Sequence, residues 1–139
     1  MDFSSIKALF DGSKTDKVLV MDDEEPLRLV LSQMLQSLGF APESCACGEE
    51  AVELYKKEFE AGTPYAAVIL DIVVTGGGID GVKAAEEIRA VDPHATLIAS
   101  TGFCESLVLK NPAIYGFNGL LPKPYGLGEL KNLLTSLLS

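Results

Sequence analysis

The sequence predicts an α/β domain built on an open, five-stranded parallel sheet with helices on both faces. Three observations carry that expectation. Short, continuous apolar runs alternate with longer segments of helical period. The runs are apolar at successive positions, as strands covered on both sides must be. The length, 139 residues, suits one such domain with a hydrophobic core of its own.

Lys17 to Met21 (KVLVM) reads as the first buried strand and ends in Asp22-Asp23. Pro26 sits where a first helical turn tolerates it. Leu27, Val30, Leu31, Met34, Leu35 and Leu38 then recur at helical spacing, and Gly39 supplies the stop. Phe40 to Cys45 is a weaker second strand. Gly48 to Ala61 is a polar-rich helix with Ala51, Leu54, Tyr55 and Phe59 facing inward. Ala66 to Asp71 (AAVILD) is the most apolar strand, and it too ends in aspartate. A glycine-rich loop, Thr75 to Gly78, precedes a helix over Gly81 to Val91 that is closed by Asp92-Pro93.

Ala95 to Ser100 (ATLIAS) is the fourth strand and runs into Thr101-Gly102; a short helix over Glu105 to Lys110 follows. Gly119 to Leu121 makes a brief fifth strand before Pro122-Lys123-Pro124, and Leu127 to Leu138 the last helix. The leucines of the first and last helices are expected in the core. Residues 1–16 precede the first strand and are expected to be an extension or linker, leaving 17–139 as the domain proper.

Composition narrows the partners. Twenty acidic side chains against 11 basic ones give a formal charge of −9. That balance speaks against a nucleic-acid surface or an anionic membrane, both of which select a basic footprint. The apolar runs fall short of the roughly 20 residues a membrane helix needs, and the N-terminus lacks the pattern of a signal peptide. Cys45, Cys47 and Cys104 form neither an even disulfide framework nor a zinc-ligand spacing. Free thiols in a reducing compartment, the cytoplasm, are the expectation.

In an open parallel sheet, ligands bind beyond the carboxyl ends of the strands. Asp22 and Asp23 follow the first strand, Asp71 ends the third, Thr101 follows the fourth and Lys123 the fifth. Each has a plain structural reading alone, as a helix-start acid, a turn residue or a solvated lysine. As an ordered set they point to chemistry. Three carboxylates brought together repel without a cation, and an oxygen-rich site of this kind suits Mg2+. A carboxylate can act as a nucleophile toward phosphorus. A lysine and a hydroxyl beside it fit phosphoryl transfer, where positioning and charge neutralisation dominate.

The pattern VLVMDDEEP, then AAVILD, then LIASTG, then LLPKPY resembles the response-regulator receiver family of two-component signalling, over essentially residues 17–138. The resemblance implies a flavodoxin-like sheet of strand order 2-1-3-4-5. It implies phosphorylation of Asp71, Mg2+ held by Asp22, Asp23, Asp71 and the main-chain carbonyl of Val73, and phosphoryl contacts from Thr101 and Lys123. The implied partners are a histidine kinase or a histidine phosphotransfer protein, with a homodimer through the fourth and fifth helices as a further option. The tracts GEEAVELY, EEIRAVDP and GFNGLLPKPYGLGEL resemble receivers attached to hybrid sensor histidine kinases. A stand-alone receiver and a piece of such a kinase both stay open.

Three departures from the family pattern matter. The segment from Asp71 to Gly81 is longer by two residues and lacks the usual proline. Leu120 occupies the place of an aromatic switch partner. Val73 and Phe103, where the family tunes dephosphorylation, are both apolar and would restrict an attacking water, so a long-lived aspartyl phosphate is expected. Two rival readings differ in class. A pseudo-receiver would act by protein binding alone. A haloacid-dehalogenase-type phosphatase would need a second aspartate where Val73 stands, and would carry its motif after the first strand. His94, in a loop, is expected to be solvated. The Gly76 to Gly78 run lacks the tail of a phosphate-binding loop.

Overall fold

The computed structural model describes residues 16–72, 80–102 and 107–138. Five strands, β1 (Lys17–Met21), β2 (Ala41–Cys45), β3 (Ala67–Asp71), β4 (Leu97–Thr101) and β5 (Gly119–Pro122), form one sheet in the order β2-β1-β3-β4-β5. Every neighbouring pair is parallel. The helices are α1 (Glu25–Ser37), α2 (Gly48–Glu60), α3 (Gly81–Val91), the four-residue α4 (Leu107–Lys110) and α5 (Leu127–Leu138), with a 3-10 turn at Pro112–Tyr115 between α4 and β5.

Strand alternation sorts the core into two layers, because successive side chains point to opposite faces. Leu19, Met21, Val68, Leu70, Leu97 and Ala99 pack with Ala51, Tyr55, Ala84 and Ile88 of α2 and α3. Val18, Val20, Ile69, Ile98 and Leu121 face the other way, against Leu31 and Leu35 of α1 and Leu130 and Leu134 of α5. β2 lies at the sheet edge, which tolerates Pro42, a residue that cannot donate to a ladder.

Helix ends follow local chemistry. Pro26 falls in the first turn of α1, and Gly39 after it takes a left-handed φ of 92°. Asp80 caps α3 by accepting a hydrogen bond from the Lys83 amide at 3.0 Å.

Several sequence expectations need correction. β4 begins at Leu97 and includes Thr101, because Ala95 is held in a turn by its amide bond to the Asp92 carbonyl. The fourth helix is described only from Leu107, and the 3-10 turn after it was not foreseen. Val30 and Leu127 are 49% and 43% exposed, and Leu27 half-buried, so the core stripe of these helices is narrower than their periodicity suggests. Phe59, near the end of α2, is exposed and lies near-parallel to the Tyr55 ring, with the centroids 6.4 Å apart. The first fifteen residues, the glycine loop, Val73, Phe103 and Cys104 lie outside the described residues.

Candidate functional site: a carboxylate cluster at the strand ends

The parallel register brings the polar residues to one edge. Asp71 ends β3 opposite Ser100, and Thr101 ends β4 opposite Pro122. The ladder continues past the strands: the Asp22 amide donates to the Cys45 carbonyl at 3.2 Å, and the Lys123 amide to the Thr101 carbonyl at 2.9 Å. Asp22, Asp71 and Thr101 are therefore held by backbone bonding at the edge of a buried sheet. All three are buried, while Asp23 and Lys123 are half-buried.

Asp22 is fixed from two sides. Its Oδ1 accepts a hydrogen bond from the Glu24 amide at 2.9 Å, and its carbonyl accepts one from Arg28 Nη1 at 2.7 Å. These contacts leave Oδ2 to Lys123, whose Nζ stands 3.0 Å away and also reaches Asp71 Oδ2 at 3.4 Å. One ammonium thus bridges the acid after β1 and the acid at the end of β3. Burial alone would lower the Lys123 pKa, but the hydrogen bond to Asp22 and the charge of Asp71 together hold it above the ordinary lysine value.

One carboxylate oxygen from each of Asp22, Asp23 and Asp71 falls within 4.8 Å of the others. Three carboxylates against one ammonium leave two formal negative charges in a largely buried place. The donor set is all oxygen and acidic, which fits a hard divalent cation such as Mg2+.

Gly81 has a packing reason visible only in three dimensions. A Cβ there would overlap the carbonyl oxygen of Asp71 and lie 2.8 Å from its carbonyl carbon. The start of α3 thus rests directly on the main chain of the central aspartate, and only glycine allows that approach.

An apolar groove of about 460 Å³ opens beside Lys123, lined by Leu27, Val30 and Met34 of α1 and by Pro124 and Tyr125. Sequence reasoning missed it, having assigned the α1 residues to the core. Burial pushes the Tyr125 hydroxyl pKa up at its rim.

The chain is similar to known proteins. Residues 18–135 match the model of the response regulator receiver domain. The chain belongs to the response regulator receiver domain family. Among its relatives, the sensor kinase CckA of Brucella abortus is 32% identical over 129 residues, 92% of this chain but 13% of that kinase. The chain likewise spans 15% and 24% of two further curated relatives, a transcription factor and a response regulator.

Two solved structures are similar over most of the chain. The receiver domain of sensor histidine kinase PA1611 from Pseudomonas aeruginosa superposes with a TM-score of 0.78 at 27% identity, covering 90% of this chain and 98% of that one; it was crystallised with magnesium in its active-site cleft. Response regulator TrrA of Thermotoga maritima, in complex with Mg2+-BeF, gives 0.74 at 31% identity, with 89% and 100% covered. No helix among the described residues is long and apolar enough to cross a membrane.

Proposed function

We propose that this receiver domain accepts a phosphoryl group on Asp71 in a two-component phosphorelay. The observation that carries the reading is the double contact of Lys123 with Asp22 and Asp71, at 3.0 and 3.4 Å, inside a cluster of three carboxylates. In the transfer, an Asp71 oxygen forms a bond to phosphorus as the bond from phosphorus to a donor phosphohistidine nitrogen breaks. The electron pair returns to the imidazole. A small acyl phosphate can serve as donor in the same way.

Asp22, Asp23 and Asp71, with the main-chain carbonyl of Val73, are the residues assigned to hold Mg2+. Bound there, the ion would neutralise the carboxylates and the entering phosphoryl oxygens. Lys123 turns from the Asp71 carboxylate to the phosphoryl group, and the Thr101 hydroxyl supplies a second contact. The apolar groove beside Lys123 gives a protein donor a seat next to the acceptor. The resulting dianion biases a two-state equilibrium in the surface downstream of Thr101, and near-complete reversal of populations asks for about 5.5 kcal/mol.

Intact mass after incubation with acetyl phosphate tests the reading. One added phosphoryl group is expected in Mg2+, with none in EDTA and none for Asp71→Asn. Unchanged mass in Mg2+, together with no binding of beryllofluoride, would move the protein to the pseudo-receivers. Val30→Glu separates donors: it is expected to slow transfer from a phosphohistidine protein while leaving acetyl phosphate as effective as before.

A further inference from the structure

Arg89, near the end of α3, directs its guanidinium to three backbone carbonyls and one side-chain oxygen. Nη1 donates to the carbonyls of Pro93, at 3.1 Å, and Ala95; Nη2 donates to the carbonyl of Gly116 and, at 3.0 Å, to Asn118 Oδ1. Asn118 in turn is locked to β4. Its Oδ1 accepts from the Leu97 amide at 2.8 Å, and its own amide donates to the Leu97 carbonyl at 2.7 Å.

The turn that Arg89 grips is closed internally as well. The amides of Ile114, Gly116 and Phe117 bond to the carbonyls of Asn111, Ala113 and Pro112 at 3.2, 3.1 and 3.0 Å. Gly116 supplies the left-handed residue at a φ of 88°, and the Phe117 side chain is buried in the core layer of α2 and α3. All of this lies at the start of β4 and β5, the end of the sheet opposite Asp71. Thr101 and Lys123 lie at the other end of the same two strands.

We propose that Arg89 pins the segment Pro112 to Asn118, so that a change entering at Thr101 and Lys123 stops short of it. The inference rests on the reading of Asp71 as phosphoryl acceptor and narrows its output. Moving the turn would strip acceptors from a half-buried guanidinium and break the reciprocal Asn118–Leu97 pair, a costly loss of polar contacts. The exposed Ile114 therefore keeps one position in both states, and the switching surface lies on the Thr101 side of Asn111. Arg89 is a positioning residue and touches no reacting atom.

Amide hydrogen exchange of the full chain, with and without beryllofluoride and Mg2+, tests the pin. In the native protein, peptides containing Asp71, Thr101 and Lys123 should respond to the ligand, while the 113–118 amides change less than about twofold. In Arg89→Lys, which keeps the charge but loses the fork, the ligand should alter those amides about fivefold or more. A purely structural Arg89 would raise their exchange equally with and without ligand, which overturns the pin. A strong response of the 113–118 amides in the native chain overturns it too. Asn118→Ser, which removes the side-chain oxygen shared by Arg89 and the Leu97 amide and leaves the three carbonyl contacts of Arg89, serves the same comparison if Arg89→Lys fails to fold. No response at Asp71 in the native protein would sink the receiver reading itself and the pin with it.

Discussion

Replacing Lys123 by methionine isolates the electrostatics of the site while keeping an aliphatic body against the groove. The ammonium stands 3.0 Å from Asp22 and 3.4 Å from Asp71, whose side chains are only 8% and 5% exposed. At an effective dielectric near 20 each contact is worth about 5 kcal/mol of attraction, most of it offset by desolvation. Removing one partner of such a group costs about 3–5 kcal/mol, because buried charge is left unbalanced. Lys123 keeps 20% exposure, so the lower end, about 3 kcal/mol, is expected in EDTA. With a urea dependence of about 2 kcal/mol per molar, that is a midpoint shift of about 1.5 M. Saturating Mg2+ should roughly halve the shift, since the dication neutralises the same carboxylates and binds Lys123→Met more tightly than the native chain. Equal shifts in EDTA and in Mg2+ would refute the shared site. A shift below about 0.3 M in EDTA would show that water already screens the contacts.

Gly81→Ala should destabilise by about 1–3 kcal/mol and slow phosphorylation, because its Cβ overlaps the Asp71 main chain. Gly128→Ala, in α5 with no atom within 4 Å of the new Cβ, should instead stabilise by about 0.5–1 kcal/mol, and thermal melts of the two read both signs. Stability should fall as pH rises above about 10. Burial, then hydrogen bonds to Asp92 at 2.6 Å and Glu43 at 2.7 Å, raise the Tyr55 and Tyr65 hydroxyl pKa values. The unfolded chain thus releases these protons first; the contribution is whole below the unfolded value and drains away above it. Tyr55→Phe should flatten that alkaline slope in urea titrations, and an unchanged slope would remove Tyr55 as its source. Polar replacements at Val73 and Phe103 together should shorten the aspartyl phosphate lifetime; decay followed by intact mass in Mg2+ checks this, and an unchanged lifetime would end the account of restricted water.

What the sequence disclosed depended on how local the cause was. β1 and α3 end where composition alone puts them, because an apolar run giving way to Asp22-Asp23 and an Asp92-Pro93 stop act within a few residues. The strand-end polar residues were legible for the same reason: β1, β3 and β4 are parallel and each ends in or runs into a polar residue, so those groups share one edge of the sheet. β4 was shifted because Ala95 is drawn into a turn by Asp92 while Leu97 is held by Asn118, 21 positions later. Val30 was assigned to the core because helical period cannot separate a buried stripe from the wall of a groove completed by residues far along the chain, Gly102 and Lys123 to Tyr125.

The same distinction explains why the two ends of this sheet carry different kinds of information. At the C-terminal edge, the proposed chemistry demands particular residue types, so Asp22, Asp23, Asp71, Thr101 and Lys123 stand out. At the N-terminal edge, Arg89 binds carbonyl oxygens that almost any residue could present, and nothing in the residues at 93, 95 and 116 marks them as its partners. A charged side chain satisfied mostly by main chain constrains conformation while asking for a particular residue at one place only, Asn118. Its role is therefore visible only once the strands are in register. The proposed switch moves on one side of β4 and β5 and is held on the other. The mobile demand is written in side chains, the holding demand in backbone geometry.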